Sequence, residues 1–156
     1  EIKEIAARYR VPFVINDDIY AAKEIDADGV HIGQSDMEYQ KARQILGPDK
    51  IIGISACTLE EAVAAEKAGA DYIGVGAVFP TDTKADHIPV TFEELKQITD
   101  TVSIPVVAIG GINADNLTKL AGTGIDGISV ISAIFAQPDP GIATKELLAR
   151  TKEILS

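Results

Sequence analysis

Two aspartates follow two of the predicted strands, where their carboxylates could bind a metal ion. Asp17 comes directly after the apolar run Val11–Asn16, and Asp36 comes shortly after the run Gly29–Gly33. Carboxylate oxygens, together with the amide of Asn16, are hard ligands that suit Mg²⁺ shared with a diphosphate. The alternative is that each aspartate caps the helix that follows it. We expect a Mg²⁺ site, because both residues fall at neighbouring strand ends.

Two further segments have the composition of phosphate-binding turns. Gly110-Gly111, followed by Asn113, ends the apolar run Pro105–Gly110. Glycine lets the backbone approach an anion, and a helix beginning after it would offer free N–H groups and the positive end of its dipole. The segment 131–133 (Ile-Ser-Ala) repeats this arrangement after the last strand, where barrels often complete the same phosphate site. The alternative is a turn that needs glycine only for its backbone geometry.

The longest connection between predicted elements contains Thr81-Asp82-Thr83-Lys84. Long loops in compact domains are often functional. Lys84 could neutralise a diphosphate, and the hydroxyls of Thr81 and Thr83 could donate to phosphate oxygens. The alternative is a solvated surface loop.

Three other reactive side chains are expected to have structural roles. Strand alternation makes His31 face away from Val30 and Ile32, and we expect a buried, hydrogen-bonded histidine. His87 is expected on a loop surface. Cys57 has no histidine close to it in sequence, so we do not expect a nucleophile there.

Short apolar runs alternate with helical segments along the whole chain. The predicted strands are Val11–Asn16, Gly29–Gly33, Ile51–Ser55, Tyr72–Val78, Pro105–Gly110 and Gly127–Ser132. The clearest predicted helices are Leu59–Ala68, Phe92–Asp100, Ala114–Ala121 and Thr144–Leu155. Thr58 with Glu61, and Thr91 with Glu94, have the spacing of capping boxes. Such alternation is typical of parallel βαβ units.

One domain spanning residues 1–156 is expected, since no linker or low-complexity segment interrupts the pattern. Three of the predicted strands are preceded by an aspartate in a similar local sequence, at Asp28, Asp71 and Asp126. This repetition favours a TIM-type (β/α)8 barrel, of which about six βα units are present. Residues 1–8 have the pattern of a helix already under way, so we expect roughly two further units before them. The alternative is an open, doubly wound sheet.

Composition excludes several classes of function. The chain is 46% apolar, with a net charge of −10, no tryptophan and one cysteine, Cys57. A negative field repels polyanions, so we expect no nucleic-acid partner. No apolar run approaches the roughly 20 residues of a membrane helix, so we expect no membrane partner. A lone cysteine favours a reducing, cytoplasmic location.

Six segments, in order along nearly the whole chain, carry a family resemblance. They are Ile15-Asn16-Asp17, 29–36 (Gly-Val-His-Ile-Gly-Gln-Ser-Asp), Gly53-Ile54-Ser55, 80–84 (Pro-Thr-Asp-Thr-Lys), 108–112 (Ala-Ile-Gly-Gly-Ile) and 130–134 (Val-Ile-Ser-Ala-Ile). Together they resemble thiamine-phosphate synthase, also named thiamine-phosphate pyrophosphorylase. The loop 80–84 is the most specific of them.

The resemblance implies a Mg²⁺-dependent transferase of thiamine biosynthesis. It joins hydroxymethylpyrimidine diphosphate to thiazole phosphate and releases diphosphate, with Mg²⁺ and Lys84 stabilising the departing group. Its implied residues are Asn16, Ser55 and Lys84 for the pyrimidine diphosphate, Asp17 and Asp36 for Mg²⁺, and Thr81, Thr83, Gly111, Ile131 and Ser132 for the thiazole phosphate. Ser55 and Lys84 are the expected catalytic residues. The partners are small molecules, and a homo-oligomer is left open.

The resemblance is incomplete at one point. The family's Gln-x-Arg-x-Lys segment, whose basic residues help to hold the diphosphate, would precede residue 1, and we expect a chain without it to be severely impaired. Two alternatives follow. One is a relative resembling thiazole tautomerase, in which a histidine stands where this sequence has Cys57. The other is a non-catalytic barrel fragment that binds phosphate.

Overall fold

The computed structural model describes residues 1–34, 36–80 and 89–155, with the backbone alone for 36–38. Strands and helices alternate through these residues. The strands are β1 (Val14–Asn16), β2 (Gly29–Ile32), β3 (Ile51–Ala56), β4 (Tyr72–Gly76), β5 (Val106–Ile109) and β6 (Gly127–Ser129). The helices are α1 (Ile2–Arg8), α2 (Ile19–Glu24), α3 (Asp36–Leu46), α4 (Leu59–Ala68), α5 (Phe92–Thr101), α6 (Ser132–Phe135) and α7 (Pro140–Ile154), with a 3-10 helix, η1 (Leu117–Leu120).

The six strands form one curled parallel sheet in which sequence neighbours are also spatial neighbours. Their order is β1-β2-β3-β4-β5-β6, and every pair is parallel. A doubly wound sheet reverses its strand order at a switch point, and this sheet does not. The sequential order is that of a barrel wall, so the alternative of an open doubly wound sheet is wrong. Within the described residues the wall has six strands, and β1 and β6 are not paired with each other.

The apolar core lies between the convex face of the sheet and the helices. Outward-facing strand residues are fully enclosed, as are the residues that α5 turns toward them. The members with the lowest exposure include Val30, Ile32, Ile52, Ile73, Val75, Val106, Leu95 and Ile98. Complete burial of such a side chain stabilises the fold by about 1.5–3 kcal/mol. The concave face is different, because half-buried polar side chains and glycines occupy it.

Three aspartates join neighbouring strands at the amino ends of the sheet. Asp28, Asp71 and Asp126 each donate a backbone amide to a carbonyl on the preceding strand or its entry segment, at 2.8–2.9 Å. Each carboxylate accepts the amide of that same residue, at 2.7–2.8 Å. This reciprocal pair of hydrogen bonds is the structural reason for the aspartate repeated before three strands. It lies at the end of the sheet opposite the predicted site.

The predicted helix Ala114–Ala121 is wrong. The Asn113 side chain accepts hydrogen bonds from the amides of Asp115 (2.9 Å) and Asn116 (3.2 Å), and only the 3-10 turn Leu117–Leu120 follows. Asparagine side chains compete with helical hydrogen bonds in this way. The helix dipole expected after Gly110-Gly111 is therefore missing from this position.

Other element boundaries differ from the predictions for local reasons. The first strand begins at Val14, beyond Pro12, which has no amide to donate to a ladder. The last helix begins at Pro140 because Asp139 accepts the amide of Ile142 at 2.9 Å and proline suits the first helical position. The strand predicted to reach Val78 ends at Gly76.

One of the two predicted capping boxes is confirmed. Thr91 and Glu94 exchange both hydrogen bonds at the start of α5. At α4 the Thr58 hydroxyl accepts the amide of Glu61 at 3.2 Å, but the Glu61 carboxylate accepts the amide of Cys57 at 2.6 Å. The second box is therefore wrong in its reciprocal half.

Candidate functional site

A cavity of about 490 Å³ lies on the concave face at the carboxyl ends of the strands. Parallel sheets of this kind bind ligands at this end. The residues lining the cavity come from β3 to β6, from the segments that follow β2 to β6, and from the first turn of α4. Among them are the predicted site residues Ser55, Gly111, Ile131 and Ser132, together with Gln34, Cys57, Glu61, Gly74 and Gly76.

The end of β1 presents an amide and a carboxylate side by side. The Asn16 side-chain amide donates to the Asp17 carboxylate at 2.9 Å, and both residues are exposed. Asp17 has a left-handed backbone conformation, with φ of 65°, and its amide donates to the carbonyl of His31 at 2.8 Å. The capping role in α2 belongs to Asp18, which accepts the amide of Ala21. Capping therefore does not explain Asp17.

The predicted metal ligands are only partly covered by the described residues. Asp36 is the first residue of α3, four positions after the last residue of β2, but its side chain lies outside the description. Among the described side chains, no group of three or more His, Cys, Asp or Glu residues is arranged to hold a metal ion. The exposed Asp17 carboxylate has the hard-oxygen chemistry that Mg²⁺ requires, so this residue fits a shared ion.

Ser55 belongs to a hydrogen-bonded chain that crosses the concave face. Its hydroxyl lies 3.0 Å from Nε2 of His31, and Nδ1 of His31 lies 3.0 Å from the hydroxyl of Tyr72. The Gln34 amide donates to the Ser55 carbonyl. His31 is thus hydrogen-bonded on both ring nitrogens, as the sequence predicted, although it is half-buried. Burial raises the pKa of Tyr72 above its usual value.

The Gly110-Gly111 turn has a structural requirement of its own. Both residues have positive φ, 96° and 66°, a conformation that disfavours other residues. A Cβ on Gly110 would lie 2.5 Å from Cβ of Ala77, and one on Gly111 would lie 2.4 Å from the carbonyl oxygen of Pro80. Backbone geometry therefore explains the pair, which also lines the cavity.

The end of β6 leads directly into the short helix α6. Ile131 is its N-cap and makes no side-chain capping hydrogen bond. The first amides of a helix, here those of Ser132 and Ala133, have no partner within the helix. Ile131 and Ser132 are exposed and line the cavity. Of the two predicted phosphate-binding turns, this one alone is followed by an α-helix.

Glu61 and Gln34 are among the cavity residues that sequence reasoning missed. Glu61 was interpreted only as part of a capping box, yet it lines the cavity and accepts the Cys57 amide. Gln34 was quoted only within a motif, yet it fixes the Ser55 carbonyl. The Gln34 contact depends on how the ends of β2 and β3 meet, and the Glu61 contact joins residues only four positions apart. The Cys57 thiol donates to the carbonyl of Gly76 at 3.2 Å.

Several predictions fall on residues 81–88, outside the described part of the chain. These are the phosphate roles of Thr81 and Thr83, the catalytic role of Lys84 and the surface position of His87. They stay predictions. Within the described residues, no helix combines the length and apolar character needed to cross a membrane.

A curled, sequentially wound parallel sheet with a cavity at the carboxyl ends of its strands defines a class, the (β/α)-barrel-like proteins that bind small ligands. Comparison with known proteins is more specific. The family described as thiamine monophosphate synthase matches residues 1–134. The chain belongs to this family.

Individual relatives agree with that membership. A thiamine-phosphate synthase of Methanobrevibacter smithii is 53% identical over 97% of this chain and 73% of its own length. One from Clostridium novyi is 55% identical over 94% of this chain and 72% of its own. The solved structure of a thiamine phosphate pyrophosphorylase from Pyrococcus furiosus is 44% identical, covers 99% of this chain and 74% of that one, and superposes with a TM-score of 0.89.

Proposed function

We propose that the protein forms thiamine phosphate from hydroxymethylpyrimidine diphosphate and thiazole phosphate. Family membership is the observation that carries the proposal. The cavity at the strand ends supports it, because it brings together Ser55, Gly111 and Ser132, which stand far apart in sequence. A cavity of about 490 Å³ has the usual size of a site for a small molecule.

Asn16, Ser55 and Lys84 hold the pyrimidine diphosphate in this proposal. Ser55 lines the cavity, and Asn16 lies at the end of β1 on the same edge of the sheet. Among the described residues that line the cavity there is no lysine or arginine, and Lys84 would supply the ammonium group. Its charge would balance the charge that develops on the leaving diphosphate.

Asp17 and Asp36 would hold Mg²⁺ beside that diphosphate. Asp17 is exposed at the end of β1 and is not used as a helix cap, while Asp36 begins the helix after β2. β1 and β2 are hydrogen-bonded neighbours, so their ends lie at the same edge. When bound, the ion would neutralise negative charge on the diphosphate.

Gly111, Ile131 and Ser132 bind the thiazole phosphate, with hydroxyl donors from Thr81 and Thr83. The backbone at β5 and β6 is open to an anion, and α6 begins at Ser132. The thiazole nitrogen is itself the nucleophile, so no protein nucleophile is required. The Cys57 thiol, which donates to a backbone carbonyl, is consistent with a packing role.

We also propose that β1–β6 form the larger part of an eight-stranded barrel. The parallel sequential order and the curl of the sheet support this, as does its superposition on the Pyrococcus furiosus structure. Eight strands are the number at which barrels of this class close.

Incubation with both substrates, with and without Mg²⁺, tests the proposed function. We expect thiamine phosphate and diphosphate to appear together, and Asp36→Ala to lower Mg²⁺-supported turnover by orders of magnitude. Asp115→Ala is a matched control, because Asp115 is exposed and is not among the residues that line the cavity. Unchanged kinetics of Asp36→Ala at limiting Mg²⁺ would contradict the metal assignment. Isomerisation of thiazole without coupling would favour the tautomerase alternative.

A further inference from the structure

Three polar side chains from three adjacent strands form one continuous series of hydrogen bonds on the concave face. The Tyr72 hydroxyl on β4 lies 3.0 Å from Nδ1 of His31 on β2, and Nε2 of His31 lies 3.0 Å from the hydroxyl of Ser55 on β3. The two rings are 5.4 Å apart between centroids. Only Ser55 has a role in the proposed function, so the other two residues need an explanation.

Two glycines leave the room that these rings occupy. A Cβ on Gly53 would lie 2.2 Å from Cζ of Tyr72, and a Cβ on Gly74 would lie 3.0 Å from Cε1 of His31. In the strand register, His31 is opposite Gly53 and Ser55 is opposite Gly74. The backbone of β3 and β4 therefore fixes where the rings lie before any ligand is present.

The direction of the two hydrogen bonds, that is, which group donates in each, follows from the chemistry of Tyr72 and His31. A neutral imidazole has one donor nitrogen and one acceptor nitrogen. Burial raises the pKa of Tyr72, so its hydroxyl keeps its proton at neutral pH and can donate to Nδ1 of His31. Nε2 then carries the ring proton and donates to the Ser55 hydroxyl oxygen.

The opposite direction, in which Nδ1 of His31 donates to the Tyr72 hydroxyl, is disfavoured. In that arrangement the phenol proton would need another acceptor in a half-buried position. In the described part of the chain, the Tyr72 hydroxyl makes no hydrogen bond except the one with His31. A fully buried donor without a partner costs about 1–3 kcal/mol, and a half-buried phenol loses part of that amount.

We propose that Tyr72 and His31 form a hydrogen-bond relay that fixes the Ser55 hydroxyl as a donor directed into the cavity. Because the Ser55 oxygen accepts from His31, its own proton is available to a ligand, and Ser55 lines the cavity. The relay is built to present a donor to an anionic oxygen or a ring nitrogen. Tyr72 and His31 are positioning residues, and the consequence of the relay for turnover rests on the proposed function.

Nitrogen-detected NMR of the imidazole rings tests the relay without any substrate. The chain has two histidines, so a His87→Gln background leaves the signals of His31 alone. We expect a neutral ring protonated on Nε2, with Nδ1 shifted by a hydrogen bond that it accepts. Tyr72→Phe should move the Nδ1 signal toward that of an unbonded nitrogen, whereas Ser55→Ala should chiefly move Nε2. A ring protonated on Nδ1, or a Nδ1 signal unchanged in Tyr72→Phe, overturns the relay.

A double-mutant cycle tests the effect on catalysis. Tyr72→Phe keeps the ring against Gly53 and should lower kcat/KM for the pyrimidine diphosphate roughly tenfold, leaving KM for the thiazole phosphate unchanged. The double variant Tyr72→Phe/Ser55→Ala should be no worse than Ser55→Ala, since the relay acts only through Ser55. Additive losses would overturn the proposal. If the unaltered protein forms no thiamine phosphate, the proposed function fails, and the NMR experiment still decides the relay.

Discussion

The residues with the clearest chemistry were recognisable because strand ends follow a simple positional rule. Ser55, Gly111 and Ser132 were placed at strand ends by sequence alone, and the structure brings all three to one cavity. The roles assigned to them stay predictions. The choice between capping and ligand binding at Asp17 could not be made from sequence, because Asp18 is an equally good cap and only the backbone geometry shows which residue performs it.

A local contact at the start of α4 explains why Glu61 was misjudged. The Thr58 spacing predicted a local capping box, but the Glu61 carboxylate binds the Cys57 amide and faces the cavity instead. The capping-box rule considers only the amide of the N-cap residue, Thr58, and not the amide of Cys57, which comes directly after β3.

Ser132 gives a test of how the two substrates divide the cavity. Ser132→Asp places a negative charge at the start of α6, next to the open amides. Repulsion should raise KM for the thiazole phosphate at least tenfold while changing KM for the pyrimidine diphosphate much less, as measured by varying each substrate separately. Ser132→Asn is the uncharged control and should have a smaller effect. Equal increases for both substrates would argue against separate phosphate positions.

At the scale of elements, periodicity predicted α4, α5, α7 and all six strands, with errors at most of their ends, whereas α3 was not among the clearest predicted helices. Leu59–Ala68 has the predicted limits because Thr58 caps it and Gly69 ends it in a left-handed conformation. The segment after Gly110-Gly111 failed because Asn113 forms local hydrogen bonds that a hydrophobic pattern does not reveal. Helix propensity there was overridden by side-chain to backbone bonding.

The reciprocal hydrogen bonds of Asp28, Asp71 and Asp126, here called aspartate bridges, predict a stability effect that is separate from the site. Asp126→Ala removes the acceptor of the Val106 amide, which donates to it at 2.8 Å. Loss of a hydrogen bond to a charged group should lower the free energy of unfolding by about 1.5–3 kcal/mol. Urea denaturation of Asp126→Ala measures the loss. Asp115→Ala, whose carboxylate makes no hydrogen bond within the described residues, should stay within about 0.5 kcal/mol of the parent. Equal stability of both variants would show that the bridge contributes nothing.

At the scale of the whole molecule, the sequence predicted the class of architecture through its repeated strand-helix units. The sequence favoured a barrel but left the doubly wound sheet open, because the strand order that distinguishes them depends on which strands pair in space. The two ends of the sheet differ in what their residues do. Aspartate bridges join the strands at the amino ends, and the cavity lies at the carboxyl ends. A net charge of −10 makes anion binding depend on local groups at that second end.

The central claim is that the carboxyl ends of the strands together hold linked phosphate groups. Titration of the ¹⁵N-labelled protein with inorganic diphosphate and Mg²⁺ tests it directly, because each backbone amide reports its own surroundings. We predict saturable shifts at Asp17, Ser55, Gly111 and Ser132, with Asp28, Asp71 and Asp126 at the opposite end unchanged. Shifts confined to those three aspartates, or none at the cavity at saturating diphosphate, would contradict the account.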